Sequence, residues 1–131
     1  MHSIMKNKIL IFLIGVLFVF GLAKIAFSDP AKKSGIASWY SAKDCGVRKY
    51  TASGEIFDDS KRTCASWHFK LGTRVRVTNT QNGKSVVCTV NDRGPAKRYK
   101  KKRVIDLTQT AFKEIGSLKR GLVPVALTRL D

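Results

Sequence analysis

The chain has 131 residues, of which 25 are Lys or Arg and 9 are Asp or Glu, and its formal net charge is +16. This length fits one domain with a modest core and leaves no room for a second module. The excess of positive charge favours polyanionic partners, with nucleic acid as the usual first candidate.

An apolar run at residues 9–23 follows Lys6 and Lys8 and has the length of a secretory hydrophobic segment. It is short against the roughly 20 residues that span a bilayer, so an uncleaved membrane anchor is the weaker alternative. Small residues at Ala26 and Ser28 suit a signal peptidase, which predicts a signal peptide at residues 1–28 and export from the cytoplasm. No cysteine lies in or near the run, which disfavours attachment of a lipid there.

Removal of residues 1–28 leaves 103 residues with 22 basic and 9 acidic side chains, and a net charge of +13. An exported protein rarely meets nucleic acid, so we expect no nucleic-acid partner. Anionic wall polymers, peptide carboxylates and lipid head groups remain as partners for this charge.

Residues 29–34 are polar and include Pro30, which predicts a flexible leader before one domain at residues 35–131. Residues 36–40 suit a first strand, with Trp39 and Tyr40 either in the core or on a binding rim. Residues 41–62 show no regular alternation of polar and apolar residues and are rich in glycine and polar side chains. This pattern indicates a long loop region, and long ordered loops tend to carry function.

Residues 74–78 and 85–90 alternate polar with apolar side chains around Asn82 and Gly83, which predicts a hairpin whose turn has positive backbone dihedrals. Residues 91–95 hold Gly94 and Pro95 and must form a tight loop, because glycine tolerates unusual dihedrals and proline lacks an amide donor. This loop places Asp92 just past the end of a strand.

The basic run at residues 97–103 is either a solvated loop or a surface that attracts an anionic substrate. Residues 104–107 return to strand character, and Thr108 suits the N-cap of a short helix that ends near Ile115. Residues 122–130 suit a last strand. Many strands and one late helix in about a hundred residues indicate a small barrel or sandwich.

Three cysteines lie in the domain, Cys45, Cys64 and Cys88, and two of them can pair in an oxidising compartment. We favour Cys45 with Cys64, because both flank the same irregular segment, and we interpret Cys88 as a small buried apolar residue. No metal or other cofactor is expected, since His68 stands four residues from one cysteine and no Cys pair has metal-site spacing.

Carboxyl groups at Glu55, Asp92 and Asp106 are notable in so basic a domain. Carboxyl groups in a cleft suit glycosidic bond cleavage, which needs an acid for the leaving oxygen and negative charge beside the transition state. Each also has a structural alternative. Asp92 can bond backbone amides of its own turn, Asp106 can pair with Arg93 or cap the following helix, and Glu55 can be a solvated loop charge. Composition and spacing alone therefore do not prove an enzyme.

Six segments, in this order, resemble the rare lipoprotein A-like family, the septal ring lytic transglycosylases. They cover nearly all of the predicted domain: residues 35–40 (GIASWY), 51–57 (TASGEIF), 71–79 (LGTRVRVTN), 82–87 (NGKSVV), 90–95 (VNDRGP) and 104–108 (VIDLT). The resemblance implies a mainly β fold, a six-stranded double-psi β-barrel with one short helix, related to expansins.

The resemblance further implies lytic transglycosylation of peptidoglycan, in which the 6-hydroxyl of the sugar displaces the glycosidic bond and leaves a 1,6-anhydro end. By the family motifs, Asp92 would be the acid and base, and Glu55 would assist it. The residues expected to bind substrate are Asp106, His68, Ser66, Tyr40, Arg93 and Thr51. A non-catalytic, expansin-like wall-binding or loosening module is the alternative.

The sequence departs from the family pattern where active relatives carry a histidine. Ser66 occupies that position, and His68 follows two residues later, on the same face if the strand continues. Some relatives carry a lipid-attachment cysteine and a separate peptidoglycan-binding domain, and we expect neither feature in this chain. We therefore expect a monomer of the periplasm or cell-envelope surface that binds peptidoglycan glycan strands and contacts the anionic envelope through its charge.

Overall fold

The computed structural model describes residues 29–131, so the predicted signal peptide at residues 1–28 lies outside the described part. Six strands close a barrel in the order β1-β5-β2-β4-β3-β6, with one short helix, which confirms the predicted fold class. Within residues 29–131, no helix is long and apolar enough to cross a membrane. The elements are β1 (Lys32–Tyr40), β2 (Thr63–Ala65), β3 (Arg74–Asn79), β4 (Ser85–Asp92), β5 (Arg103–Thr108), α1 (Gln109–Lys113) and β6 (Leu122–Arg129).

Two pairs of neighbouring strands run parallel, β1 with β5 and β2 with β4, while the other four neighbouring pairs run antiparallel. Parallel neighbours cannot be joined by a tight hairpin and need a long connection. Residues 41–62 between β1 and β2, and residues 93–102 between β4 and β5, are therefore free to lie outside the barrel.

The inward-facing side chains, which alternate with outward-facing ones along each strand, fill the barrel interior. Val75 and Val77 of β3 are fully buried, and the exposed Arg76 between them shows the period of two that predicted the hairpin. In contrast, β5 is buried from Val104 to Thr108. Alternate β5 residues face the outside of the barrel, so the burial of all five means that other segments cover that outer face.

The predicted helix cap is confirmed, since the Thr108 hydroxyl accepts the Ala111 amide at 3.3 Å. At the other end of the helix, the Asn79 and Asn82 side-chain amides donate to the Ile115 carbonyl at 2.8 and 3.0 Å. The hairpin turn differs in one respect from the prediction. Only Gly83 has a positive φ, of 75°, because Asn82 is held by its bond to the helix end.

Strand β1 begins at Lys32, three residues before the predicted start of the domain. Residues 32–34 pair with residues 126–128 of β6, whose backbone would otherwise lack partners there, so half of the predicted leader is strand. Strand β2 was not predicted, because three residues are too few to show a period. It is nevertheless central, since it joins β5 to β4.

The disulfide joins Cys64 to Cys88, with Cα atoms 5.9 Å apart, so the predicted pair of Cys45 and Cys64 is wrong. Parallel pairing of β2 with β4 brings these two cysteines together inside the core, where both are buried. Cys45 is exposed in the long loop and forms no disulfide within residues 29–131.

Replacement of Cys64 and Cys88 by alanine should lower the free energy of unfolding by about 3 kcal/mol, since the bond closes a loop across 24 positions of sequence. Urea unfolding of the two proteins measures this loss. Cys45→Ser is the matched control and should leave the urea midpoint unchanged. Equal midpoints for all three proteins would contradict the assigned pairing.

Candidate active site

Four neighbouring strands align one side chain each in a row across the barrel. Ser38 is in register with Asp106, Asp106 with Ala65, and Ala65 with Asp92. Residues in register share a face of the sheet, and the two aspartate Cα atoms are two strand spacings apart, about 10 Å. Ala65 stands between them with only a methyl group, so no bulky side chain separates the two carboxyl groups.

Both carboxyl groups line one open groove of about 790 Å³, bordered by parts of the long loop and of the loop after β4. Aromatic rings from Trp39, Tyr40, Tyr50 and Trp67 also line it. Tyr50 and Trp67 are 57% and 38% exposed, so their faces are available to a ligand. A groove with acidic groups on its floor and rings on its walls suits an extended sugar chain.

Asp106 lies on the groove floor and is 8% exposed. Its Oδ1 accepts bonds from the Ser38 hydroxyl and from Arg103 Nη2, the latter at 3.1 Å. Burial raises the pKa of Asp106 above its usual value, and the charge of Asp92 adds to the rise, although Ser38 and Arg103 oppose it. Asp106 therefore keeps its proton to a higher pH than an ordinary aspartic acid.

Asp92 ends β4 and is half-buried. Its Oδ1 accepts the Arg93 amide at 2.9 Å and the Ala52 amide at 3.0 Å. Asp92 therefore both stabilises its turn and lines the groove. Because both amides bond Oδ1, the oxygen that a ligand can reach is Oδ2.

Tyr40 lines the groove beside the two aspartates, and its ring packs on Phe57 with centroids 4.6 Å apart. Its hydroxyl is buried and has no hydrogen-bond partner within residues 29–131. Burial raises the pKa of Tyr40, and the charges of Asp92, Asp106 and Asp59 add to the rise. The hydroxyl therefore stays protonated.

Glu55 is exposed and is not among the residues that line the groove, whereas Thr51 does line it. The Glu55 carboxylate accepts the Ser53 hydroxyl at 2.9 Å, and this hydroxyl also lies 2.9 Å from that of Thr51. These contacts brace the turn whose Ala52 amide bonds Asp92. The groove partner of Asp92 is thus Asp106 rather than Glu55.

Ser66 is fully buried, where its hydroxyl donates to the Val104 carbonyl at 3.0 Å and accepts the His68 amide at 3.1 Å. The His68 ring also lies outside the groove lining, and its Nε2 is buried without a partner within residues 29–131. Burial lowers the pKa of His68, and the charge of Lys33 adds to this.

The expected equivalence of residues 66 and 68 fails because β2 ends at Ala65, so the alternation of a strand does not continue. The His68 imidazole therefore does not line the groove, and Ser66, at the family's histidine position, has no imidazole. Arg93 lines the groove, but its Nη1 donates to the carbonyls of Ser66 and Phe69 at 2.7 and 2.6 Å. Its guanidinium mainly holds this segment against the loop after β4.

Sequence reasoning missed two partners of Asp106, Ser38 and Arg103. It considered Arg93 as the ion-pair partner, but Arg103, three residues before Asp106 on β5, forms the pair. It also attributed Gly94 to unusual dihedrals, whereas φ of Gly94 is not positive. An added Cβ there would lie 3.2 Å from both Ala65 Cβ and Asp106 Oδ2, so the close approach is what favours glycine.

Comparison with known proteins places this site in a family. Residues 32–127 match the family described as lytic transglycolase. An endolytic peptidoglycan transglycosylase RlpA of Pseudomonas aeruginosa is 43% identical over 97 residues, which cover 74% of this chain and 27% of that protein. The chain thus spans little more than a quarter of the first curated relatives it matches.

Two solved structures share the fold. The Streptomyces papain inhibitor has a TM-score of 0.61 at 24% identity, over 79% of this chain and 97% of its own. The apo expansin of Clavibacter michiganensis has a TM-score of 0.59 at 19% identity, over 76% of this chain and 50% of its own. The match over residues 32–127 establishes that the chain belongs to the lytic transglycolase family, and the two structures support an RlpA-like double-psi β-barrel.

Proposed function

We propose that this protein is a peptidoglycan lytic transglycosylase, which cleaves glycan strands and leaves 1,6-anhydro-muramic ends. The observation that carries the proposal is the pair of carboxyl groups, Asp92 and Asp106, in one sugar-sized groove. The RlpA relatives are endolytic peptidoglycan transglycosylases, which supports the choice of substrate and reaction.

In this mechanism Asp106, and not Asp92 as the resemblance implies, acts first as the acid, because burial raises its pKa and so favours its protonated form. Its proton passes to the glycosidic oxygen, and the bond between that oxygen and the anomeric carbon breaks, with the electron pair going to the oxygen. The 6-hydroxyl oxygen of the same sugar then bonds the anomeric carbon, and its proton returns to Asp106. Asp92, with two amides on Oδ1, supplies negative charge beside the oxocarbenium-like transition state.

The remaining groove residues would bind and orient the glycan. Tyr40, Thr51 and Trp67 lie on the walls of the groove. Glu55 and Arg93 act through the loops they hold, so we assign them positioning roles. Ser66 and His68 do not themselves line the groove and are assigned to the packing of the loop that follows β2.

A non-catalytic, expansin-like glycan-binding module is the second candidate. It is favoured by one observation, namely that neither Ser66 nor His68 supplies the imidazole which the resemblance implies for active relatives. Such a module would keep the groove and its affinity for glycan but release no product.

Asp106→Asn and Asp92→Asn should each lower the rate of release of 1,6-anhydro-muramic ends by about 100-fold or more, because each removes a group needed in the transition state. Mass spectrometry of purified glycan strands after incubation measures the products. Glu55→Gln is the control, since its amide oxygen can still accept the Ser53 hydroxyl, and it should change the rate by less than about tenfold.

If the parent protein releases no anhydro ends, the binding module is the correct function. A loss with Glu55→Gln equal to that with Asp106→Asn would restore Glu55 as the partner of Asp92.

The pH profile should identify Asp106 as the acid. Only its protonated form donates, so activity should fall as pH rises through the pKa of Asp106. Arg103 lowers that pKa, so Arg103→Met should raise it and move the fall in activity to higher pH. Arg76→Met on the exposed face of β3 is the matched control and should leave the profile unmoved. An unshifted profile for Arg103→Met would exclude Asp106 as the group that titrates.

We also propose that the protein is exported through a signal peptide at residues 1–28 and acts as a monomer at the periplasm or envelope surface. The apolar run at residues 9–23 supports export. N-terminal sequencing of the protein recovered from the envelope should begin at Asp29. Recovery of the intact N-terminus with the membrane fraction would instead support an uncleaved anchor.

A further inference from the structure

Residues 97–103, termed here the basic arm, carry six Lys or Arg side chains and no carboxylate in seven positions. The side chains before Arg103 are exposed. The arm leaves the loop after β4 as a 3₁₀ turn at Lys97–Tyr99 and enters β5 at Arg103. It is therefore a projecting cationic surface connected at both ends to the groove.

The cations of the basic arm lack carboxylate partners. The ion pairs found within residues 29–131 are Arg62 with Glu114, Arg74 with Asp131 and Arg103 with Asp106. Lys97, Arg98 and residues 100–102 thus carry five positive charges that repel one another without compensation. A cluster of this kind weakens the fold unless an anion from outside offsets the repulsion.

Backbone hydrogen bonds hold the basic arm in a defined shape. The Tyr99 amide donates to the Ala96 carbonyl at 2.8 Å, and the Lys102 amide donates to the Tyr99 carbonyl at 3.1 Å. The Lys102 carbonyl in turn accepts the Ile36 amide of β1 at 2.8 Å. The cations are therefore displayed on an ordered loop, which lowers the entropy lost when a ligand binds.

The basic arm also borders the groove. Lys97 Nζ lies 5.5 Å from the ring centroid of Trp67, which lines the groove, and Arg103 lines it directly. A long ligand bound along the arm would therefore run past the groove mouth.

We propose that the basic arm is a docking surface for a linear polyol phosphate polymer, a chain of phosphate diesters that carries no bases. Lysine and arginine side chains are donors only, and the Tyr99 hydroxyl is the one side-chain acceptor in the arm. A phosphate diester presents acceptors only and keeps its charge at every physiological pH, so it matches this surface.

Other classes of partner match the basic arm less well. Tyr99 is its only apolar side chain, is 42% exposed, and has the guanidiniums of Arg98 and Arg103 over its ring at 4.8 and 5.2 Å. The arm therefore offers little apolar surface for insertion into a membrane or for stacking of nucleic-acid bases.

The test compares two triple variants with the same change in net charge, in the full chain. Lys100→Gln/Lys101→Gln/Lys102→Gln neutralises the basic arm, and Lys113→Gln/Lys119→Gln/Arg120→Gln neutralises exposed side chains around and after α1. The probe is labelled poly(glycerol phosphate), and its affinity is measured by fluorescence anisotropy across a salt series. The arm variant should bind about 100-fold more weakly at 0.1 M salt, and its log–log salt slope should fall by about 2. The control should bind within about threefold of the parent.

Equal losses in the two variants would overturn the proposal, because binding would then follow net charge and not the basic arm. Vesicles with anionic phospholipid and duplex DNA are the competing ligands, and tighter arm-dependent binding to either would also overturn it. The proposal does not depend on the catalytic assignment. The arm variant is also assayed for release of 1,6-anhydro-muramic ends, so a failure of catalysis and a failure of docking are distinguishable.

Discussion

The burial of the Asp106 carboxyl group is the constraint on which the groove depends. Asp106 lies between Ile105 and Leu107, which fill the barrel, so its own side chain must face the opposite side of β5. A charge at such a position is costly unless it is bonded, and Ser38 and Arg103 provide the donors. Ser38 can do so because β1 and β5 are parallel neighbours in register. Closure of the barrel thus creates both the site and the shifted pKa of its acid.

The long loop at residues 41–62 completes the site from outside the barrel. Its Ser53 amide bonds the Asn91 carbonyl at 3.0 Å, and its Ala52 amide bonds Asp92 at 3.0 Å. The loop is therefore fastened at the end of β4, where the second aspartate stands. This explains how a segment without helix or strand can form a wall of the groove, while the Glu55 carboxylate accepts the Ser53 hydroxyl within the loop.

The basic arm lies between Asp92 and Asp106 in sequence, and this order has an electrostatic consequence. Arg103 compensates Asp106, while the exposed cations before it remain unpaired. Positive charge at the rim of a groove raises the local concentration of anionic ligands and the rate at which they arrive, more so at low salt. The fold therefore places a cationic surface beside a groove lined by carboxyl groups.

The sequence by itself determined the elements with a clear local signal, namely the alternating hairpin of β3 and β4, the Thr108 cap, the last strand and the loop that presents Asp92. The six ordered motifs determined the family and, through it, the barrel. Tertiary structure alone decided which distant residues meet: Cys64 with Cys88, Asp92 with Asp106, and Asp106 with Ser38 and Arg103. These contacts arise from the register of strands that are neighbours in space and not in sequence. Local patterns reflect backbone geometry over a few residues and carry no information on register between distant strands.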